Sequence, residues 1–263
     1  MFSYRNLYVV IALSFLLASC ATNVSFRGGE LEGMAPEPVR VPALLVKPEG
    51  KGPFPAVVLL HTCGGLLPHV TDDWPNYLKS LGYVVLAVDS YTPRGYQRCS
   101  EFPIASKWKT AQAADAYGAL DYLAGLPYVD RNRIGLMGFS AGAIAINDVI
   151  VPWGIRKSGG LNFKAAISLY GYCYRLSGYA KDDIPLMQIA GELDTRYAPS
   201  CVAVGKETPM EVHVLEGAYH AFDQPQITSL STDDGGDPIL YNPTATHEAQ
   251  ELTKSFFAKY LGK

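Results

Sequence analysis

Two stretches of this chain have no side that could face water: "FPAVVLL" at 54–60 and "YVVLAVD" at 83–89, the latter polar only at its closing Asp. A strand points successive side chains to opposite faces, so a continuous apolar run needs cover on both. That is the condition of a strand in a parallel sheet between two layers of helices. The rest of the chain supplies the partners. "VRVPALLVKP" at 39–48 reads as an early strand, and "RIGLMGFS" at 133–140 as a strand running into a turn. "FKAAISLYG" at 163–171, "IPLMQIAGELD" at 184–194 and "MEVHVLEG" at 210–217 read as further strands. Helices are expected over 72–80, ending before Gly82, and over 106–124, where Gly125 and Pro127 give the stop. "AGAIAINDVIV" after the turn reads as another. At the C-terminal end, Ala245, Ala249, Leu252, Phe256 and Tyr260 form one stripe of a helix over 244–261. The expectation is one α/β domain over 39–263, a three-layer sandwich around a mostly parallel sheet. Residues 223–243, with "DDGGDP", read as a solvated loop, since their acidic spacing does not follow a calcium-binding loop.

The N-terminus reads differently. "MFSYRNLYVVIALSFLLASC" carries Arg5 and then an apolar run from Leu7 to Ala18. At about 12 residues the run is short for a bilayer span and fits an export signal over 1–19. "LASC", Leu17 to Cys20, resembles a bacterial lipobox, which implies cleavage before Cys20 and its acylation. Ala21 follows instead of Asp, so by the same resemblance the outer membrane, facing the periplasm, is the expected destination. Residues 20–38 read as a lipid-anchored tether. Four cysteines remain, Cys63, Cys99, Cys173 and Cys201. An even number in an oxidising compartment suggests two disulfides, with three connectivities open. No CxxC or HExxH spacing points to a metal. A net charge of -3 with no basic stripe gives no footprint for nucleic acid.

The candidate chemistry centres on "GFSAG", Gly138 to Gly142. A G-x-S-x-G turn between strand and helix needs small neighbours, because the chain reverses sharply and pushes the serine hydroxyl out of the sheet. A serine hydroxyl needs a base, oriented in turn by a carboxylate. In this kind of fold the order along the chain is serine, acid, histidine. His220, in "GAYHAF" just after the last expected strand, is the candidate base. His213 lies within that strand, and His247 begins the final helix. Asp194, after a strand and a turn glycine, is the candidate acid, with Glu192 the alternative; Asp194 could instead cap the helix that follows. The Ala141 N–H and a donor from "LLHTCGG", Thr62 before Cys63, are the candidate oxyanion hole. Cys63 is a rival nucleophile, but it lacks the elbow turn.

"LLHTCGGL", "AVDSYTPRG", "GLMGFSAGA", "IAGELDTRYAP" and "GAYHAFDQP" together resemble the dienelactone hydrolase family of α/β-hydrolases, from about Val39 to Leu261. The resemblance implies hydrolysis of esters or lactones through an acyl-enzyme, without metal or organic cofactor. Typical members use cysteine where Ser140 stands and glutamate where His61 stands; a serine with His220 as base does not need that glutamate. Arg94 matches a family arginine that holds a substrate carboxylate. A second such arginine is missing, with Gln224 in its place. Tyr91, Arg94 and Tyr172 are the candidate substrate-binding residues. The family fold further implies disulfides Cys63–Cys99 and Cys173–Cys201, each bracing a loop beside the site. A non-catalytic envelope protein on the same scaffold and an acyltransferase are the alternative readings.

Overall fold

The computed structural model describes residues 21–29, 39–150, 161–173, 176, 178–181 and 183–262. The expected signal peptide, Cys20 and residues 30–38 of the tether lie outside the described residues. Among those described, one sheet contains β1 (Thr22–Arg27), β2 (Arg40–Val46), β3 (Phe54–Leu60), β4 (Val84–Val88), β5 (Val129–Phe139), β6 (Ala166–Leu169), β7 (Leu186–Gly191) and β8 (Glu211–Leu215). Their order across the sheet is β1-β2-β4-β3-β5-β6-β7-β8. The pairs β1–β2 and β2–β4 are antiparallel, and every later pair is parallel.

The two-sided burial expected of β3 is literal. Ala56, Val58 and Leu60 join the core under one helical layer, while Val57 and Leu59 join the core under the other. The first layer is α2 (Ala105–Ala124) and α3 (Ala141–Ile150), with Cys201 of α4 (Ala198–Gly205) at its end. The second is α1 (Trp74–Ser80) and α5 (Pro243–Leu261), which contribute Trp74, Leu78, Phe256 and Phe257. Each large apolar side chain removed from water stabilises the fold by roughly 1.5–3 kcal/mol, which drives the sandwich together. The start of α5 is set locally. Pro243 takes the first helical position, and the Asn242 side chain accepts the Ala245 N–H at 3.1 Å.

Two segments differ from the sequence reading. Residues 22–27 are not part of a tether but the edge strand β1. Phe26 is buried there and stacks on Tyr122 of α2 with ring centroids 5.8 Å apart, so the Val24/Phe26 alternation seats the strand. Within 223–243 the chain forms a small hairpin, β9 (Ser231–Thr232) paired with β10 (Pro238–Ile239). Its acidic residues have structural partners. Asp233 Oδ1 accepts the N–H groups of Gly235 and Asp237, at 2.8 and 2.9 Å. Asp234 pairs with Arg98 at 2.6 Å, and Asp237 with Arg196 at 3.0 Å.

His61 and His69 are fully buried. His61 Nδ1–H donates to the Thr62 carbonyl at 2.8 Å, and its Nε2 accepts the Ser90 N–H at 3.2 Å. His69 meets Phe139 edge to face at 5.3 Å, and neither of its ring nitrogens has a hydrogen-bond partner among the described residues. Burial pushes both rings below the ordinary histidine value of 6.5; Asp223 pulls His69 the other way without overcoming it. The unfolded chain therefore takes up protons on these rings near pH 6.5, while the folded chain does not. Stability is full above that pH and falls as pH drops towards the depressed folded values, by up to about 1.4 kcal/mol per pH unit for each proton. Urea unfolding should show a lower midpoint at about pH 5.5 than at pH 7. His69→Phe, which keeps the ring packing, should flatten that slope; an unchanged slope contradicts this assignment.

Candidate active site

Ser140 sits between β5 and α3 with φ of 50°, a left-handed conformation that a non-glycine residue adopts only under constraint. The glycines on either side allow it. A Cβ on Gly138 would lie 2.6 Å from the Gly142 backbone, and one on Gly142 would lie 2.3 Å from the Leu60 carbonyl oxygen. The turn is held from both sides. Ser140 N–H donates to the Leu169 carbonyl at the end of β6, and Gly142 N–H donates to the His61 carbonyl just past β3, each at 3.0 Å.

Three side chains from three loops meet at this turn. His220 Nε2 lies 3.0 Å from Ser140 Oγ, and His220 Nδ1 lies 2.7 Å from Asp194 Oδ2. Asp194 and His220 are both buried, 3% and 2% exposed, so the carboxylate acts on the ring with little competition from water. The capping alternative for Asp194 also has its place: Oδ1 accepts the Tyr197 N–H at 3.2 Å, so the two oxygens serve two roles. Glu192 is occupied elsewhere, accepting the Gly217 N–H at 2.9 Å. His213 lies within β8, and His247 is exposed on α5.

The His220 ring is flanked by Tyr170 and Tyr197, with centroids 4.8 and 4.9 Å away. Below it, buried Asp223 accepts from Tyr170 Oη at 2.8 Å and from Trp74 Nε1 at 2.7 Å. That fixes the loop three residues past His220. Among the described residues, the non-glycine positions with positive φ are Ser140, Tyr170 and Ala221, all at this site. Strain gathered in one place is a mark of a functional centre. Sequence reasoning did not single out Tyr170, Tyr197 or Asp223. The last two stand inside the stretches "DTRYAP" and "HAFDQP", which carried the only available signal.

A cleft of about 200 Å³ opens over Ser140 and His220. Thr62, Cys63 and Gly64 form one wall, with Leu67 beside them; Asp233, Asp234 and Ile239 of the hairpin form the other. Gln224 and Arg98 also border it. Thr62 thus faces the cleft, and Ala141 opens α3, where first-turn N–H groups have no acceptor within the helix. These amides and the positive end of α3 can receive a developing oxyanion.

The three expected substrate contacts need correction. Tyr91 is fully buried behind the cleft, its hydroxyl accepting from Gln112 Nε2 at 2.8 Å and its ring packed on His61. Arg94 makes two parallel bonds to buried Asp115, at 2.7 and 2.9 Å, and a third to the Ser90 carbonyl. It braces the loop after β4 and does not line the cleft. Tyr172 is one ring removed, packing on Tyr197, which packs on His220. The disulfides are Cys63–Cys99 and Cys173–Cys201, with Cα separations of 4.7 and 4.9 Å. Cys63 is therefore no thiol nucleophile. Its bridge joins the Thr62 wall to the segment carrying Arg98.

Solved structures of similar shape include a dienelactone hydrolase from Anabaena variabilis, 17% identical with a TM-score of 0.63, covering 92% of this chain and 99% of that one. A thermophilic esterase from Thermogutta terrifontis, 17% identical with a TM-score of 0.57, covers 89% of this chain and 93% of that one. At such identities the likeness is one of fold. Curated relatives include Esterase FrsA of Klebsiella pneumoniae, 32% identical over 119 residues, and of Citrobacter koseri, 35% identical over 124 residues. These matches take in 43% and 44% of this chain but only 26% and 27% of the relatives, about a quarter of their length. The model of the dienelactone hydrolase family matches residues 41–261, from β2 through the last residue of α5 and across every element of the site. By that match, and by the parallel sheet and elbow that go with it, the chain belongs to the dienelactone hydrolase family.

Proposed function

We propose that this protein hydrolyses carboxylic esters or lactones of small to medium size through an acyl-enzyme on Ser140. The observation that carries the reading is the 3.0 Å approach of His220 Nε2 to Ser140 Oγ on a strained turn, with Asp194 behind the ring at 2.7 Å. His220 takes the hydroxyl proton as Oγ attacks the carbonyl carbon. Asp194 holds the ring with its proton on Nδ1 and stabilises the imidazolium that forms. The amides of Ala141 and Thr62 receive the oxyanion. The leaving alcohol departs with the proton from Nε2, and water then clears the acyl group by the reverse sequence. Arg94 is committed to Asp115, and Arg98, which borders the cleft, pairs with Asp234, so among the described residues neither arginine is placed as the family's carboxylate holder, and an uncharged ester fits the cleft better than a dienelactone.

A fluorophosphonate probe should label the full chain on Ser140, and Ser140→Ala should abolish labelling and lower ester turnover by at least about 10⁴-fold. Absence of labelling, or equal labelling of the variant, contradicts the reading.

The protein is further proposed to be held in the bacterial envelope by acylation of Cys20. The apolar run ahead of Cys20 and the pairing of all four remaining cysteines support export to an oxidising compartment. Because β1 begins at Thr22, the fold starts two residues past Cys20, and the domain then sits close against the membrane instead of on a long tether. Mass analysis of the native protein should find an acylated N-terminal Cys20; an unmodified chain starting at Met1 contradicts it.

A further inference from the structure

The hairpin wall places a second carboxylate on the open side of the catalytic histidine. Asp233 Oδ2 lies 4.0 Å from His220 Nε2, and the Asp233 side chain is 27% exposed. Its other oxygen is fixed by the N–H groups of Gly235 and Asp237, so the carboxylate cannot swing away without breaking the turn. The neighbouring charges have other partners: Arg98 pairs with Asp234, and Arg196 with Asp237. Asp233 Oδ2 is left facing the place where a reactant must stand to give its proton to His220.

Resting on the serine-hydrolase reading, we propose that Asp233 orients the water that clears the acyl-enzyme and so commits the site to hydrolysis instead of acyl transfer. The geometry admits one oxygen between the two groups. An oxygen about 2.9 Å from each end of a 4.0 Å gap sees them at roughly 90°, close to the angle between the two O–H bonds of water. One O–H of that water points at His220 Nε2 and the other at Asp233 Oδ2, leaving a lone pair for the acyl carbon. As the new C–O bond forms, the first proton passes to Nε2. As the bond from carbon to Ser140 Oγ breaks, that proton returns to Oγ. The second O–H stays with the product, which leaves as a carboxylic acid and then ionises. Its negative charge arises beside Asp233, which favours departure. An alcohol has a single O–H. With that bond on Nε2 it has nothing to offer Asp233 and places an alkyl group against the carboxylate. The same side chain thus helps water and hinders alcohols.

The test uses the full chain with p-nitrophenyl butyrate and graded methanol, comparing wild type, Asp233→Asn, Asp233→Ser and Ser140→Ala. Asparagine and serine both keep an acceptor for the turn amides, and both remove the charge facing His220. Three quantities are read: the initial p-nitrophenolate burst, the steady-state rate, and the ratio of methyl butyrate to butyric acid. In both Asp233 variants the burst should persist while the steady-state rate falls about tenfold and the ester-to-acid ratio rises about tenfold, as expected for loss of one charge-assisted hydrogen bond. A persisting burst with an unchanged ratio in either variant overturns the role of Asp233 and leaves Ser140 chemistry intact. No turnover by wild type above Ser140→Ala overturns the serine-hydrolase reading, and this proposal with it.

Discussion

The geometry of the site depends on one backbone contact, the 3.0 Å hydrogen bond from Gly142 N–H to the His61 carbonyl. It joins the first turn of α3 to the loop that leaves β3. Any side chain at position 142 would meet the Leu60 carbonyl oxygen at 2.3 Å, so only glycine lets the two segments come this close. The contact has two consequences. The turn before α3 is forced tight, which puts Ser140 at φ 50° and turns its hydroxyl out of the sheet. The loop carrying Thr62 is also held against the same helix start, so Ser140 and the proposed oxyanion donors share one rigid mount. His61 reinforces this as a buried neutral ring bridging the Thr62 carbonyl and the Ser90 N–H.

Around that mount the site is closed by pieces distant in sequence. Cys63–Cys99 links the Thr62 wall of the cleft to the segment bearing Arg98. Arg98 reaches across to Asp234 of the hairpin, and Arg196, from the loop after Asp194, reaches Asp237. Ile239 of the hairpin pairs in turn with His220. Covalent and ionic links thus run from the loop after β3, through the hairpin, to the histidine loop. Tyr170, Tyr197 and Asp223 hold that last loop from the inside.

Much of this was legible in the sequence because the relevant signals are local. Continuous apolar runs define strands buried on both faces, and β3 spans the same residues as its run. A strand, two glycines and a serine define the elbow. A conformation that one short stretch must adopt leaves its mark in that stretch. What the sequence did not reveal depends on pairing. Arg94 reads equally well as a ligand for substrate or for Asp115, since its partner lies 21 positions away on α2. Tyr91 reads as a pocket residue until Gln112 is known to hold its hydroxyl. The β1 strand hides because an edge strand needs only a weak alternation, here Val24 and Phe26, and a neighbour to receive it. The acidic hairpin looked like a solvated loop because nothing local says that its charges meet Arg98 and Arg196.

The central claim is that Ser140 carries the acyl group. It is tested most directly by mixing the protein with a p-nitrophenyl ester, quenching in acid within the burst, and locating the adduct by peptide mass spectrometry. One acyl group per chain is expected, on the peptide containing Ser140 and on no other. An acyl group found on another residue, or turnover with no adduct at any time, contradicts it.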